Sequence, residues 1–205
     1  MGMRAAQALV VVVGLLPAAA LAWRFFLGDG LGAEPIETLT HATGNWALRL
    51  LLLTLAVTPA RVLLGWRRVA PFRRTLGLLS FAYASLHVAT WLVLDQFFDW
   101  AAIFEDVIER PYITAGMTAF AAMVPLAATS TRRAVRRLGR RWLRLHRLVY
   151  LAAIAAVVHY LWLVKADLRP PAIHAAILAA LLGWRAWDAW RRRRVRSAAP
   201  AVSAG

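Results

Sequence analysis

Three histidines stand inside long apolar runs of this chain: His87, His146 and His159. A histidine within a membrane span is costly unless it is paired or bound, so it counts first as a functional group. Imidazole is also the usual protein ligand of haem iron. Counted from the arginine-rich end of each run, His87 lies twelve residues beyond Thr75, and His159 fourteen to seventeen residues beyond Leu145 and Trp142. The two rings are therefore expected at similar depth, on helices that run in the same direction. Two imidazoles so placed can hold one haem iron from both faces. That leaves no open position and suits electron transfer better than oxygen chemistry. A single histidine in a span can equally donate an interhelical hydrogen bond. It is the matched depth that favours shared ligation.

His146 precedes His159 by thirteen residues, about 20 Å along a helix axis. Its counterpart in the other run would fall near Arg74, where no histidine stands. A second haem would thus have one protein ligand, borrow another group, or be absent. Thirteen residues at 100° each leave about 220° of rotation. His146 and His159 share no stripe on a straight helix and require a tilt, a kink or different partner helices.

The elements that must carry these residues follow from composition. The chain has 205 residues, of which 61% are hydrophobic. Long apolar runs at that level indicate a membrane protein. The expected fold is all-α: a single membrane domain of six transmembrane helices, near residues 5–23, 46–64, 75–94, 112–129, 142–164 and 172–190. Trp23, Trp46, Trp66, Trp142, Trp162 and Trp190 lie at the ends of these runs, where interfacial belts form. The formal net charge of +15 is concentrated in short arginine clusters between the runs, at residues 61–74, 132–141 and 191–196. That is a topology signal and argues against nucleic-acid binding. With both termini cytoplasmic, all three clusters fall inside, and every acid but Asp188 falls outside or at an outer end. No internal repeat is visible.

What is missing also bounds the function. There is no cysteine, which excludes iron–sulfur clusters, thiol redox chemistry and a covalently attached c-type haem. There is no HExxH, no glycine-rich phosphate loop and no nucleotide-binding domain, so a pyridine-nucleotide site must belong to another protein.

Residues 5–23 are expected to be an uncleaved anchor, although Ala20-Leu21-Ala22 resembles a signal-peptide cleavage site. Residues 24–45 read as a polar outer loop with Asp29, Glu34 and Glu37, a short interfacial helix over 35–43, and His41 as a solvated loop residue. Arg49 lies one turn inside the next span, where it either snorkels to headgroups or neutralises a haem propionate. Pro59 is expected to kink or stop that span, and Pro125 to kink the fourth. Residues 95–109 read as an acidic outer loop. The tail from Ser197 is expected to be disordered.

Several stretches then carry a family resemblance. RRTLGLLSFAYASLH (residues 73–87), RPYITAG (110–116), PLAATS (125–130) and RRLGRRWLRLHRLVY (136–150), followed by His159-Tyr160 and Lys165, resemble the MsrQ family, also called YedZ. That family lies within the ferric reductase-like transmembrane group that includes the NADPH oxidases. The resemblance implies a haem b protein of the bacterial inner membrane. Such a subunit passes electrons from the quinol pool or a cytosolic flavin reductase to MsrP, a periplasmic molybdopterin enzyme that reduces methionine sulfoxide in proteins. The family's haem ligands carry over onto His87, His146 and His159. FMN binding is also attributed to the family, with Arg73 and Arg74 as candidates in the basic inner loop. NADPH oxidases hold two bis-histidine haems and carry a soluble flavin domain. This chain lacks the fourth histidine and that domain. The alternative is a stand-alone ferric or quinone reductase of the cytochrome b type. A non-redox channel or transporter with structural histidines is the third reading.

Overall fold

The computed structural model of the chain describes residues 2–28 and 30–198, and among these every regular element is helical. Helix α1 spans Met3–Phe26 and α2 spans Pro35–Leu63. A 3-10 turn at Arg67–Val69 leads into α3, Phe72–Thr90, which runs on as a π turn over Trp91–Asp95. Then come α4 (Trp100–Glu109), α5 (Pro111–Ala128), α6 (Arg132–Leu138), α7 (Arg140–Leu145), α8 (Leu148–Leu163) and α9 (Arg169–Ala198). Pro35 and Pro111 open their helices at the position where a missing N–H costs nothing. Asp99 caps α4 by accepting from the N–H groups of Ala101 and Ala102. Gly139, at φ 49°, turns the chain between α6 and α7.

Among the described residues five stretches are long and apolar enough to cross a membrane: Met3–Phe26, Pro35–Leu63, Arg67–Asp95, Pro111–Ala128 and Arg140–Leu163. Helix α9 is not among them, because Arg185 and Asp188 interrupt its apolar run.

The centre is a bundle of two helix hairpins. In the first, α2 packs on α3 through Leu50, Leu79 and Tyr83, and the buried Ser80 hydroxyl donates to the Ala47 carbonyl at 2.7 Å. In the second, α5 packs on α8 through Ala122, Met123 and Ala152. The hairpins meet where Leu48, Leu51, Leu52 and Leu55 pack on Val149, Ala153 and Val157, with Leu178 of α9 closing the cluster.

Two outer helices combine apolar packing with polar contacts to the bundle. No residue of α1 is buried. Val10 and Ala18 pack against Leu50, Leu79 and Tyr83, and the Tyr83 hydroxyl donates to the Gly14 carbonyl at 2.7 Å and accepts from the Ala18 N–H at 3.1 Å. Those two backbone groups would pair with each other in a regular helix. On the other side, Pro59 has no N–H to give to the Leu55 carbonyl one turn earlier. Arg185 of α9 supplies the missing donor at 2.7 Å, with its guanidinium 5.6 Å from the Tyr150 ring centre. Helix α2 therefore runs through Pro59 to Leu63 instead of stopping there.

Three expectations are corrected. Residues 35–45 are not a loop with a short separate helix: α2 begins at Pro35 and is continuous, so Thr40, His41 and Gly44 are helical. Polar side chains there hid the helix, yet the Thr40 and Thr43 hydroxyls are satisfied by carbonyls of the preceding turn. The acidic segment contains α4, whose exposed Trp100, Phe104 and Ile108 are spaced four residues apart. And the bundle does contain an internal repeat. A shift of 72 residues carries Thr40 to Tyr112, Gly44 to Gly116, Leu51 to Met123 and His87 to His159. The two hairpins run in the same order, and each places a histidine on a carbonyl 47 residues earlier. Parallel repeats of this kind are a known way to build a membrane protein with its site between the copies. The expected disorder of the tail falls mainly on residues 199–205, outside the described residues.

Candidate functional site

A cavity of about 610 Å³ opens between the hairpins at their acidic end. Glu34, Glu37, Asp95, Asp106 and Arg110 line its mouth. Arg110 and Asp106 are paired at 2.9 Å, and Gln96 donates to the same carboxylate at 3.0 Å. Deeper, the lining narrows to small side chains that match across the repeat: Gly44 with Gly116, Ala47 with Ala119, Ala84 with Ala156. Between them stand His87 and His159, with ring centres 6.0 Å apart.

Each ring is held in the same way. His87 Nδ1 lies 2.9 Å from the Thr40 carbonyl, and His159 Nδ1 lies 2.6 Å from the Tyr112 carbonyl. A carbonyl only accepts, so each Nδ1 carries the proton and each Nε2 keeps its lone pair. That is the usual arrangement of a metal-binding imidazole, whose second nitrogen donates to a backbone carbonyl. The sequence separation is 47 residues in both cases.

The spacing can be tested against a shared metal. Metal–imidazole bonds are about 2 Å long. A five-membered ring with sides of about 1.33 Å has a radius of about 1.1 Å. Two imidazoles on opposite sides of one metal would then have centres about 6.3 Å apart. The observed 6.0 Å agrees within a few tenths. Two donors do not complete a metal site. Among the described residues no group of three or more His, Cys, Asp or Glu side chains could hold a metal ion. The other positions must come from the bound group itself, as the four nitrogens of a porphyrin do. Glycine and alanine beside the two histidines, with apolar side chains such as Leu48, Phe120 and Met117 around them, suit such an apolar group.

A second cavity, of about 570 Å³, lies at the basic end. Arg73, Arg74, Arg132, Arg136, Trp142 and His146 are among its lining residues. Leu51 and Met123 line both cavities and form the wall between them. His146 sits at the break between α7 and α8, which is one of the three ways the 220° offset could be met. Its ring stacks on Trp142 at 3.8 Å, and its Nε2 lies 3.1 Å from the Thr129 hydroxyl. That hydroxyl gives its proton to the Pro125 carbonyl at 2.6 Å. The bond to His146 must therefore run from Nε2–H to oxygen, the reverse of the pattern at His87 and His159. By the 72-residue shift, Arg74 is the counterpart of His146.

Residues 43–157 match the family model described as the ferric reductase like transmembrane component. The protein-methionine-sulfoxide reductase heme-binding subunit MsrQ of Xanthomonas euvesicatoria pv. vesicatoria (strain 85-10) is 50% identical over 195 residues, covering 93% of this chain and 89% of that protein. The protein of the same name from Rhodospirillum rubrum is 53% identical over 186 residues, covering 90% and 89%. The chain belongs to the MsrQ family. With five apolar helices of spanning length, this MsrQ-family chain is a multi-pass membrane protein.

The candidate residues of this family member divide into three groups. His87 and His159 meet in the acidic-end cavity. Arg73, Arg74 and His146 share the basic-end cavity. Arg49 reaches neither: it is exposed, with its guanidinium 5.4 Å from the Trp46 ring centre. His41 is exposed on α2, 3.8 Å from Glu37, and lines the acidic mouth. The carbonyls of Thr40 and Tyr112, and Gly44 and Gly116 beside them, were not singled out from sequence. Backbone acceptors leave no trace in residue types. The glycines would have stood out only once the 72-residue register was known.

Proposed function

We propose that this chain is a haem b electron-transfer subunit of a methionine sulfoxide reductase system. The observation that carries the proposal is the His87–His159 pair, with both Nε2 lone pairs free and the rings spaced for one metal. The names of the similar MsrQ proteins support it. A bound haem supplies one-electron chemistry. The chain's own residues do the rest. His87 and His159 would hold the iron, their carbonyl partners fix the ring orientations, and the alanine and glycine side of the cavity would limit water around the bound group. With two histidines holding the iron, the site would suit electron transfer better than substrate binding.

Orientation follows from charge. The three arginine clusters support a cytoplasmic basic end, with six spans, both termini inside and α9 as the sixth. The whole chain is then one domain of the bacterial inner membrane. The acidic mouth faces the periplasm and an MsrP-like molybdoenzyme, for repair of oxidised periplasmic proteins. Electrons enter at the basic end from quinol or a cytosolic flavin reductase. There His146 is the ligand of a second haem or the entry point, and Arg73 and Arg74 are suited to the phosphate of FMN. The exposed position of Arg49 supports snorkelling to headgroups over a propionate contact.

The test is a pyridine haemochrome assay on the purified protein with protein quantification, followed by reduction and mixing with the periplasmic partner. A b-type spectrum that is reoxidised by the partner in the presence of methionine sulfoxide is expected. A colourless protein from haem-replete cells would end the proposal. Reoxidation by ferric chelates or quinone alone would instead establish the stand-alone reductase.

A further inference from the structure

The two histidines of the acidic-end cavity are oriented by a device that occurs twice, and its working part is a glycine. In a helix each Cβ leans toward the N-terminus, so a side chain at position i+4 covers the carbonyl of position i. Gly44 stands four residues after Thr40, and Gly116 four residues after Tyr112. Those are the two carbonyls that accept from His87 and His159. A methyl group at Gly44 would lie 3.0 Å from His87 Nδ1, and one at Gly116 would lie 2.9 Å from His159 Nδ1. Both contacts fall on the donating nitrogen, and the Cε1 atom follows at 3.1 Å in both rings.

We propose that Gly44 and Gly116 are positioning residues: each bares one helix carbonyl so that a histidine of the facing helix can donate to it and turn its Nε2 into the cavity. The repetition argues against coincidence. Carbonyl, glycine and histidine recur together at one spacing in the two hairpins, although most residues around them differ. Mid-helix glycine is unfavourable relative to alanine by about 1 kcal/mol. Two such glycines at matched positions therefore need a reason other than helix stability.

This inference rests on the haem reading, and the two fail differently. If the wild-type protein binds no haem, the haem reading falls. If the wild type binds haem and the glycines do not matter, only this inference falls. The experiment compares G44A and G116A with G183A and G14A in the full chain. An added Cβ at Gly183 meets nothing within 4 Å, whereas one at Gly14 lies 2.7 Å from Leu79, away from the cavity. G44A and G116A are expected to retain haem about 10- to 100-fold less tightly, the usual effect of losing a partner behind a metal ligand. Haem that remains should show a raised midpoint potential, because an imidazole without its Nδ1–H···O=C bond is a weaker donor. G183A and G14A should keep the wild-type spectrum and potential. Should G44A fail to fold, the double variant G44A/H87G removes the ring that the methyl strikes. It must then fold, and imidazole added in solution must restore the low-spin spectrum. Wild-type haem retention and potential in G44A and G116A, or a double variant that stays misfolded, would overturn the proposal.

Discussion

At its acidic end the bundle sets His87 against His159. Thirteen residues back along the same two runs, at the basic end, it sets Arg74 against His146. The 72-residue register is the same at both levels, but the local backbone and the chemistry are not: Arg74 lies within α3 and His146 at the break between α7 and α8. At the first level the repeat is kept in side chains as well as in fold: histidine with histidine, glycine with glycine, alanine with alanine. At the second it is broken: the position matching His146 holds Arg74, and the position matching Val149 holds Gly77, all four lining the basic-end cavity. A duplicated hairpin supplies a cavity at each end. Under the proposed function, a few side chains decide which of the two would clamp a metal symmetrically.

The largest expected effect tests the symmetric level. His87→Ala or His159→Ala should abolish the low-spin haem signal of the acidic-end cavity, and the two should do so equally, because each removes half of an equivalent pair. A large difference between them in haem-to-protein ratio would show that the pair is not equivalent. Next comes the broken level. Arg74→His restores the missing partner of His146, so any haem at the basic end should turn low-spin. An unchanged electron paramagnetic resonance spectrum would mean that the basic-end cavity does not present both positions to one metal. A smaller effect is expected from Thr129→Val, which removes the acceptor holding His146 Nε2–H. It should alter signals of the basic-end cavity and leave those of His87 and His159 untouched.

The smallest effects lie outside both cavities. Arg185→Met leaves the Leu55 carbonyl without the donor that Pro59 cannot supply, and should lower stability in detergent by about 1–3 kcal/mol. Tyr83→Phe removes the hydroxyl that holds α1, for a loss of about 1 kcal/mol. Thermal unfolding measures both, and the haem spectrum should not move in either. A spectral change in Tyr83→Phe would show that α1 braces the site.

The acidic-end pair was legible in the sequence because arginine clusters mark where each run starts, and counting from a common level needs no packing information. The break at His146 was only partly legible: a fixed 100° per residue forbids a shared stripe on a straight helix, but a tilt or different partner helices would have met that equally well. The start of α2 was not, because Thr40, His41, Thr43 and Asn45 look like loop residues until their hydroxyls are seen to bond within the helix. Helix α4 was hidden by its acids, although Asp99 before a four-residue apolar spacing was a usable signal. The repeat was invisible because its identities are few, and most of those that matter lie on the wall of one cavity.

Leu51 and Met123 are the only residues common to both cavity linings among the described ones, and neither carries a charge or a strong hydrogen-bonding group. Together they stand where the two linings meet. A hydrated species would have to shed its water to pass them, which is prohibitive in hydrocarbon surroundings. An electron needs no hydration shell. Under the proposed function, the two side chains that separate the chambers would let reducing equivalents pass and hold back hydrated ions.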